Sequence, residues 1–148
     1  MPKAAIITKP QKPEMQSILP ELVEWLSARG YEAVLDPESA AYLDRSDQAV
    51  ERNDMPEQQP EVVISLGGDG TLLSAARAFS DTDTPIIGVN LGWLGFLTEV
   101  TLAELYQTLE AWQNGTAFVD KRRLMHAERP PTAKNRRVRV QRIKSGTA

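Results

Sequence analysis

The chain contains no cysteine, which excludes disulfides and thiolate metal sites. Its one histidine, His126, has no second metal-type ligand at useful spacing and reads as incidental. No apolar run reaches the roughly 18 residues that a membrane span needs, and no hydrophobic signal core follows the first basic residues, so the expected setting is cytoplasmic, away from membranes. Positive charge is scarce over most of the length: residues 1–120 hold 7 Lys and Arg against 19 Asp and Glu, or −12. Residues 121–148 reverse the balance, with 10 against 1, or +9. The total of −3 conceals this division. A basic stretch such as Arg136-Arg137-Val138-Arg139 attracts phosphates in general, but it lacks aromatic residues for stacking on bases and adjoins an acidic body, which argues against a nucleic-acid partner. What remains is a chain of 148 residues, 41% apolar, enough for one ordinary globular core.

The chain is organised around Val62-Val63-Ile64-Ser65-Leu66-Gly67-Gly68-Asp69-Gly70-Thr71-Leu72-Leu73. The apolar, β-branched opening predicts a strand buried on both faces, as in a parallel sheet. Gly67 and Gly68 permit a sharp exit and leave backbone N–H groups open to close approach. From Thr71 the spacing of Leu72, Leu73, Ala76 and Phe79 is helical, so Asp69 stands at a helix N-terminus, where N–H groups and the macrodipole favour anions. The expectation is a site for a phosphate-bearing ligand with one carboxylate aimed at it. A tight turn that uses glycines for geometry alone is the plainer alternative. Neither a Walker A loop nor a Gly-x-Gly-x-x-Gly dinucleotide fingerprint is present.

Gly67-Gly68-Asp69-Gly70 resembles the GGDG motif of NAD kinases, shared more loosely with diacylglycerol kinases, sphingosine kinases and 6-phosphofructokinases. Asn90-Leu91-Gly92-Trp93-Leu94-Gly95-Phe96-Leu97-Thr98 narrows the resemblance, because it is similar to a segment of the NAD kinases that the other families lack in this form. The implied fold is α/β, a parallel-sheet Rossmann-like (6-phosphofructokinase-like) domain over residues 1–120. Residues 121–148 would then be the start of, or a replacement for, the family's β-rich second domain.

In chain order, Ala4–Thr8 reads as a first strand beside 62–66. Met15, Ile18, Leu19, Leu22, Val23 and Leu26 form a helical stripe stopped at Gly30. Pro20 would cost about 3 kcal/mol deep in a helix, so the regular helix is expected to begin near Leu19 or to bend there. Tyr31–Asp36 reads as a strand nearer the sheet edge. Residues 37–60, with three prolines and many carboxylates, read as a mobile surface loop with a weak helical suggestion at Ala40–Leu43, or, by the resemblance to NAD kinases, as a segment near the active cleft. Ile86–Asn90 completes a β-α-β unit, whose ligand should lie beyond the carboxyl ends of the strands. Gly92 and Gly95 leave room there, and Phe96 is a candidate cleft wall. Thr101–Glu104 has capping-box spacing, and Gly115 closes the following helix. Ala117–Val119 opens another strand, and Val138, Val140 and Ile143 suggest one short strand more.

By resemblance the activity is transfer of a phosphoryl group from ATP, or polyphosphate, to the 2′-hydroxyl of the adenosine ribose of NAD. Asp69 would be the catalytic base. Gly67, Gly68, Asp69, Gly70, Asn90, Gly95 and Phe96 would bind the nucleotides. No residue is assigned as a metal ligand, since Mg²⁺ or another divalent cation would come with ATP. The resemblance further implies a homo-oligomer at full length. It ends near Arg122–Met125, and the second-domain motifs that complete the family's dinucleotide site do not follow. This predicts a truncated or frame-altered product, inactive or nearly so. Another GGDG-type kinase acting on a lipid or sugar phosphate, or a non-catalytic nucleotide-binding fragment, remains the alternative.

Overall fold

Strand β1 (Lys3–Thr8) lies between β2 (Glu32–Leu35) and β3 (Val62–Gly67), and β4 (Ile86–Asn90) continues on the far side of β3. All three pairings are parallel; Ala5 stands opposite Val63, and Ile64 opposite Ile87. This computed structural model describes residues 1–92, 95, 97, 98, 100–126 and 136–144.

Alternation along the strands divides the core into two layers. Ala4, Ile6, Ile64 and Leu66 pack with Met15, Leu19, Leu22 and Leu26 of α1 (Met15–Ala28) and with Leu105 and Leu109 of α4 (Leu105–Gln113). Ala5, Ile7 and Val63 face the other way, onto Leu72, Ala75, Ala76 and Phe79 of α3 (Asp69–Ala78). The sheet therefore buries both faces. That is why β3 reads as an uninterrupted apolar run and why every residue in it is buried.

Helix α1 begins at Met15, a turn earlier than the first of the two alternatives its proline left, and runs through Pro20. The carbonyl that Pro20 leaves without an amide belongs to Gln16, and both residues are exposed. Water can therefore serve that carbonyl, and the buried stripe is undisturbed. The helix ends in a Schellman motif, with Gly30 at φ +83° and the Tyr31 N–H bonded to the Leu26 carbonyl at 2.9 Å. Gly115, at φ +74°, closes α4 in the same way through Thr116 N–H and the Ala111 carbonyl at 2.8 Å. Capping at Thr101 differs from the expected box: its hydroxyl donates to the Glu104 carboxylate at 2.8 Å, and it makes no side-chain bond to the backbone N–H groups.

Residues 37–60 depart most from expectation. Asp36 caps α2 (Pro37–Tyr42) by accepting from the Ser39 N–H at 2.9 Å, and two short 3₁₀ segments follow, Ser46–Gln48 and Arg52–Gln58. Met55 is fully buried among Ala5, Ile7, Val63 and Phe79. Arg52 bonds through Nε to Asp36 Oδ2, through Nη1 to Ser74 Oγ and through Nη2 to the Thr8 carbonyl, each at 2.8 Å. A segment read as mobile surface is thus tied to β1, β2 and α3. Its polar composition hid one buried methionine and one guanidinium with three partners.

Beyond Asn90 the chain forms β5 (Val100–Thr101), which pairs in parallel with Val89 and Asn90. Phe118–His126 (β6) and Arg136–Lys144 (β7) then make an antiparallel hairpin, and Arg142 of β7 stands opposite Ile86 of β4. The order across the sheet is β2-β1-β3-β4-β7-β6, with β5 on β4. The basic stretch thus supplies two nine-residue strands, where its sequence suggested the opening of one and a short second.

Candidate active site

The chain runs outward from β1 to β2 and then returns to β3 on the other side of β1, so the sheet's switch point lies beyond the carboxyl ends of β1 and β3. The glycine corner stands there. Gly67 ends β3, Gly68 is the extended N-cap of α3, and Asp69 is the first helical residue. The three glycines of the corner differ in what surrounds them. A Cβ at Gly67 would strike the Thr71 side chain and come within 3.1 Å of Lys9 Cβ, so this glycine lets helix and strand pack closely. At Gly68 and Gly70 nothing lies within 4 Å of such an atom. Open backbone for a ligand is therefore offered at Gly68 and Gly70, while the space beside Gly67 is already filled.

The Asn90 loop meets the corner directly. The Leu91 N–H bonds to the Gly67 carbonyl at 2.9 Å, and Asn90, 6% exposed, accepts the Gly92 N–H on its own Oδ1 at 2.9 Å, turning the chain at the end of β4. The loop then returns over Asp69. Its carboxylate oxygen Oδ1 accepts from the Leu97 N–H at 3.1 Å, the Thr98 N–H at 3.2 Å and the Thr98 hydroxyl at 3.4 Å. The carboxylate itself is half-buried. These donors, with the α3 N-terminus, favour its charged form.

Gly95 lies against the Asp69 carboxylate. A Cβ there would collide with the Asp69 carboxylate, so the position admits the carboxylate before it admits any ligand. Gly92 has nothing within 4 Å. Of the candidate residues, Gly67, Gly68, Asp69, Gly70, Asn90 and Gly95 come together at one edge of the sheet; Phe96 lies outside the described residues. Sequence reasoning gave no role to Thr98, which is 1% exposed, or to the Asp36–Arg52 pair behind the corner. No spacing rule finds a contact across 29 positions. An arginine next to Glu51 and two residues from Asp54 was the only signal for the pair.

Among the described residues no three His, Asp, Glu or Cys side chains converge as a metal site, and no helix is long and apolar enough to cross a membrane.

The chain has known relatives. Residues 4–117 match the ATP-NAD kinase N-terminal domain family. The chain belongs to the NAD kinase family. It is 50% identical over 128 residues to an NAD kinase of Acidobacterium capsulatum, covering 86% of this chain and 45% of that one. With an NAD kinase of Koribacter versatilis the identity is 52% over 110 residues, covering 74% and 38%. The chain therefore spans less than half the length of these curated relatives. The fold is shared with yeast NADH kinase, solved in complex with NADH, at a TM-score of 0.69 and 22% identity, covering 94% of this chain and 46% of that one. The α/β parallel-sheet fold expected from the sequence is the one observed, and the family is the one its motifs resemble.

Proposed function

We propose that this chain carries the phosphoryl-acceptor half of an NAD kinase site, in which Asp69 receives the 2′-hydroxyl of the adenosine ribose of NAD. The observation that carries the reading is the fixed presentation of one carboxylate at the switch point, beside open backbone at Gly68 and Gly70. The carboxylate accepts a hydrogen bond from the hydroxyl and takes its proton as the new O–P bond forms and the bond between the transferred phosphorus and the donor's bridging oxygen breaks, so that ADP, or polyphosphate shorter by one unit, leaves with the electron pair. A carboxylate so well supplied with donors is a weak base. Phosphoryl transfer tolerates this, because its loose transition state gains more from an oriented nucleophile than from early proton removal. ATP or polyphosphate is the donor. A divalent cation such as Mg²⁺ arrives with the donor's phosphates, offsetting their charge as part of the substrate. The proposal extends to a cytoplasmic enzyme that is a homo-oligomer at full length.

Two measurements on the purified chain test the reading. NAD binding is followed by calorimetry, and NADP formation from NAD, ATP and Mg²⁺ by an enzymatic assay for NADP. Asp69→Asn keeps shape and removes basicity, so in an intact enzyme turnover should fall about 100-fold or more with little change in NAD affinity. Binding without turnover would make the chain a dinucleotide-binding unit. Absence of binding would overturn the proposal, and transfer to diacylglycerol or fructose 6-phosphate would replace it with another kinase.

A further inference from the structure

We infer that Thr98 is the positioning residue for the Asp69 carboxylate, holding it in the one orientation from which it can meet a substrate hydroxyl. The inference rests on the kinase reading only for the use made of the carboxylate. The geometry stands by itself. Thr98 is 1% exposed, and it reaches the same oxygen of Asp69 with two different donors, its N–H at 3.2 Å and its hydroxyl at 3.4 Å. Its methyl has a separate seat: a Cβ built on Gly88, in the middle of β4, would lie 3.5 Å from Thr98 Cγ2.

A β-branched side chain is stiff at χ1. The methyl therefore cannot stay over β4 while the hydroxyl turns elsewhere, and packing against the sheet is converted into a direction at the carboxylate. The Leu97 N–H adds a third donor to the same oxygen at 3.1 Å, and the bare backbone of Gly95 leaves the carboxylate its space. Oδ1 is thus fixed to the loop, and that sets the plane in which the whole carboxylate lies.

Two substitutions separate positioning from packing. Thr98→Val keeps the branched shape, the methyl over Gly88 and both backbone donors, and loses only the hydroxyl. Thr98→Ser keeps the hydroxyl and loses the methyl. The Asp69 carboxyl carbon is followed by ¹³C NMR through an acid titration of the folded 148-residue chain, beside urea unfolding of each variant. Charged groups on the elements around α3, namely Lys9 after β1, the Asp36–Arg52 pair, Arg77 on the helix and the basic residues of β7, are the same in both variants.

Loss of a donor to the charged form moves the titration of Asp69 in Thr98→Val to higher pH, by roughly half a unit or more. Thr98→Ser stays within about 0.2 of the original chain. Stability should run the opposite way, with Ser the less stable because it gives up a buried methyl. A purely structural role would make the titration follow stability, so a larger shift in Ser than in Val, or no shift in Val, overturns the inference. If Thr98→Val does not fold, the ¹⁵N–¹H signals of Leu97 and Thr98 decide: they must follow the Asp69 titration in the original chain and lose it in Asp69→Asn. Their failure to do so equally overturns the inference. A chain that shows this pattern but binds no NAD keeps the role of Thr98 and loses the kinase reading. NAD binding without the pattern does the reverse.

Discussion

Replacing Gly95 by alanine adds one methyl group where the structure has placed a carboxylate. The new Cβ would lie 2.5 Å from Asp69 Cγ and 2.6 Å from Oδ2, and closer still to Oδ1. Relaxed contacts need about 3.5 Å, so loop and carboxylate must part by roughly 1 Å. The Leu97 and Thr98 amide bonds to Oδ1, now 3.1 and 3.2 Å, would stretch to about 4 Å, beyond useful hydrogen bonding. Bonds to a charged acceptor are worth about 1.5–3 kcal/mol each, but Asp69 is half-buried and water can replace part of the loss. The expected net cost is about 2 kcal/mol, a drop of roughly 1 M in the urea midpoint at an m-value of about 2 kcal/mol/M. Gly92→Ala is the matched control: the same loop, the same change, and nothing within 4 Å. It should be neutral or stabilising by up to about 1 kcal/mol through the unfolded state. In a chain that turns over, a 1 Å displacement of the carboxylate should also cost about 100-fold in rate. Equal urea midpoints for the two variants would refute the argument that Gly95 exists to admit Asp69.

Arg52→Ala removes the partner of Asp36, which is fully buried, and should cost about 3 kcal/mol by urea unfolding; a loss under about 1 kcal/mol would reduce the three-way contact to decoration. Met55→Ala, at a fully buried site, should cost about 2–4 kcal/mol, whereas a mobile surface segment would lose almost nothing. Burial, with the charge of Glu21 second, raises the Tyr106 hydroxyl from 10.0 to about 12. The folded state then holds that proton more tightly, so its contribution is complete below pH 10 and is lost as pH rises through 12. Tyr106→Phe should therefore flatten the alkaline limb of the stability profile. Some slope should remain from Tyr31, which burial and then Glu61 raise in the same direction.

Local chemistry made much of this fold legible. The buried run at 62–66, the stripe at 15–26 and the glycine stops at 30 and 115 follow from periodicity and from the positive φ that Schellman endings require. Pro20 misled because the cost of a helical proline depends on where the orphaned carbonyl faces, and sequence alone does not say that Gln16 meets water. Residues 37–60 misled because average polarity says little about a segment fastened by Met55 and Arg52.

Residue order alone dictates that a strand, a glycine corner and a helix follow one another at residues 62–79, with Asp69 at the helix start. Those features depend on neighbours in the chain, through backbone sterics and side-chain period. What surrounds each glycine follows from the folded arrangement: Gly67 makes room for Thr71, Gly95 makes room for Asp69, and Gly68 and Gly70 stay open. The same arrangement closes Thr98, 29 positions along the chain, on the carboxylate. Such contacts depend on how the ends of β3 and β4 come together in the sheet, and a contact between distant segments leaves no period or spacing in the sequence to read.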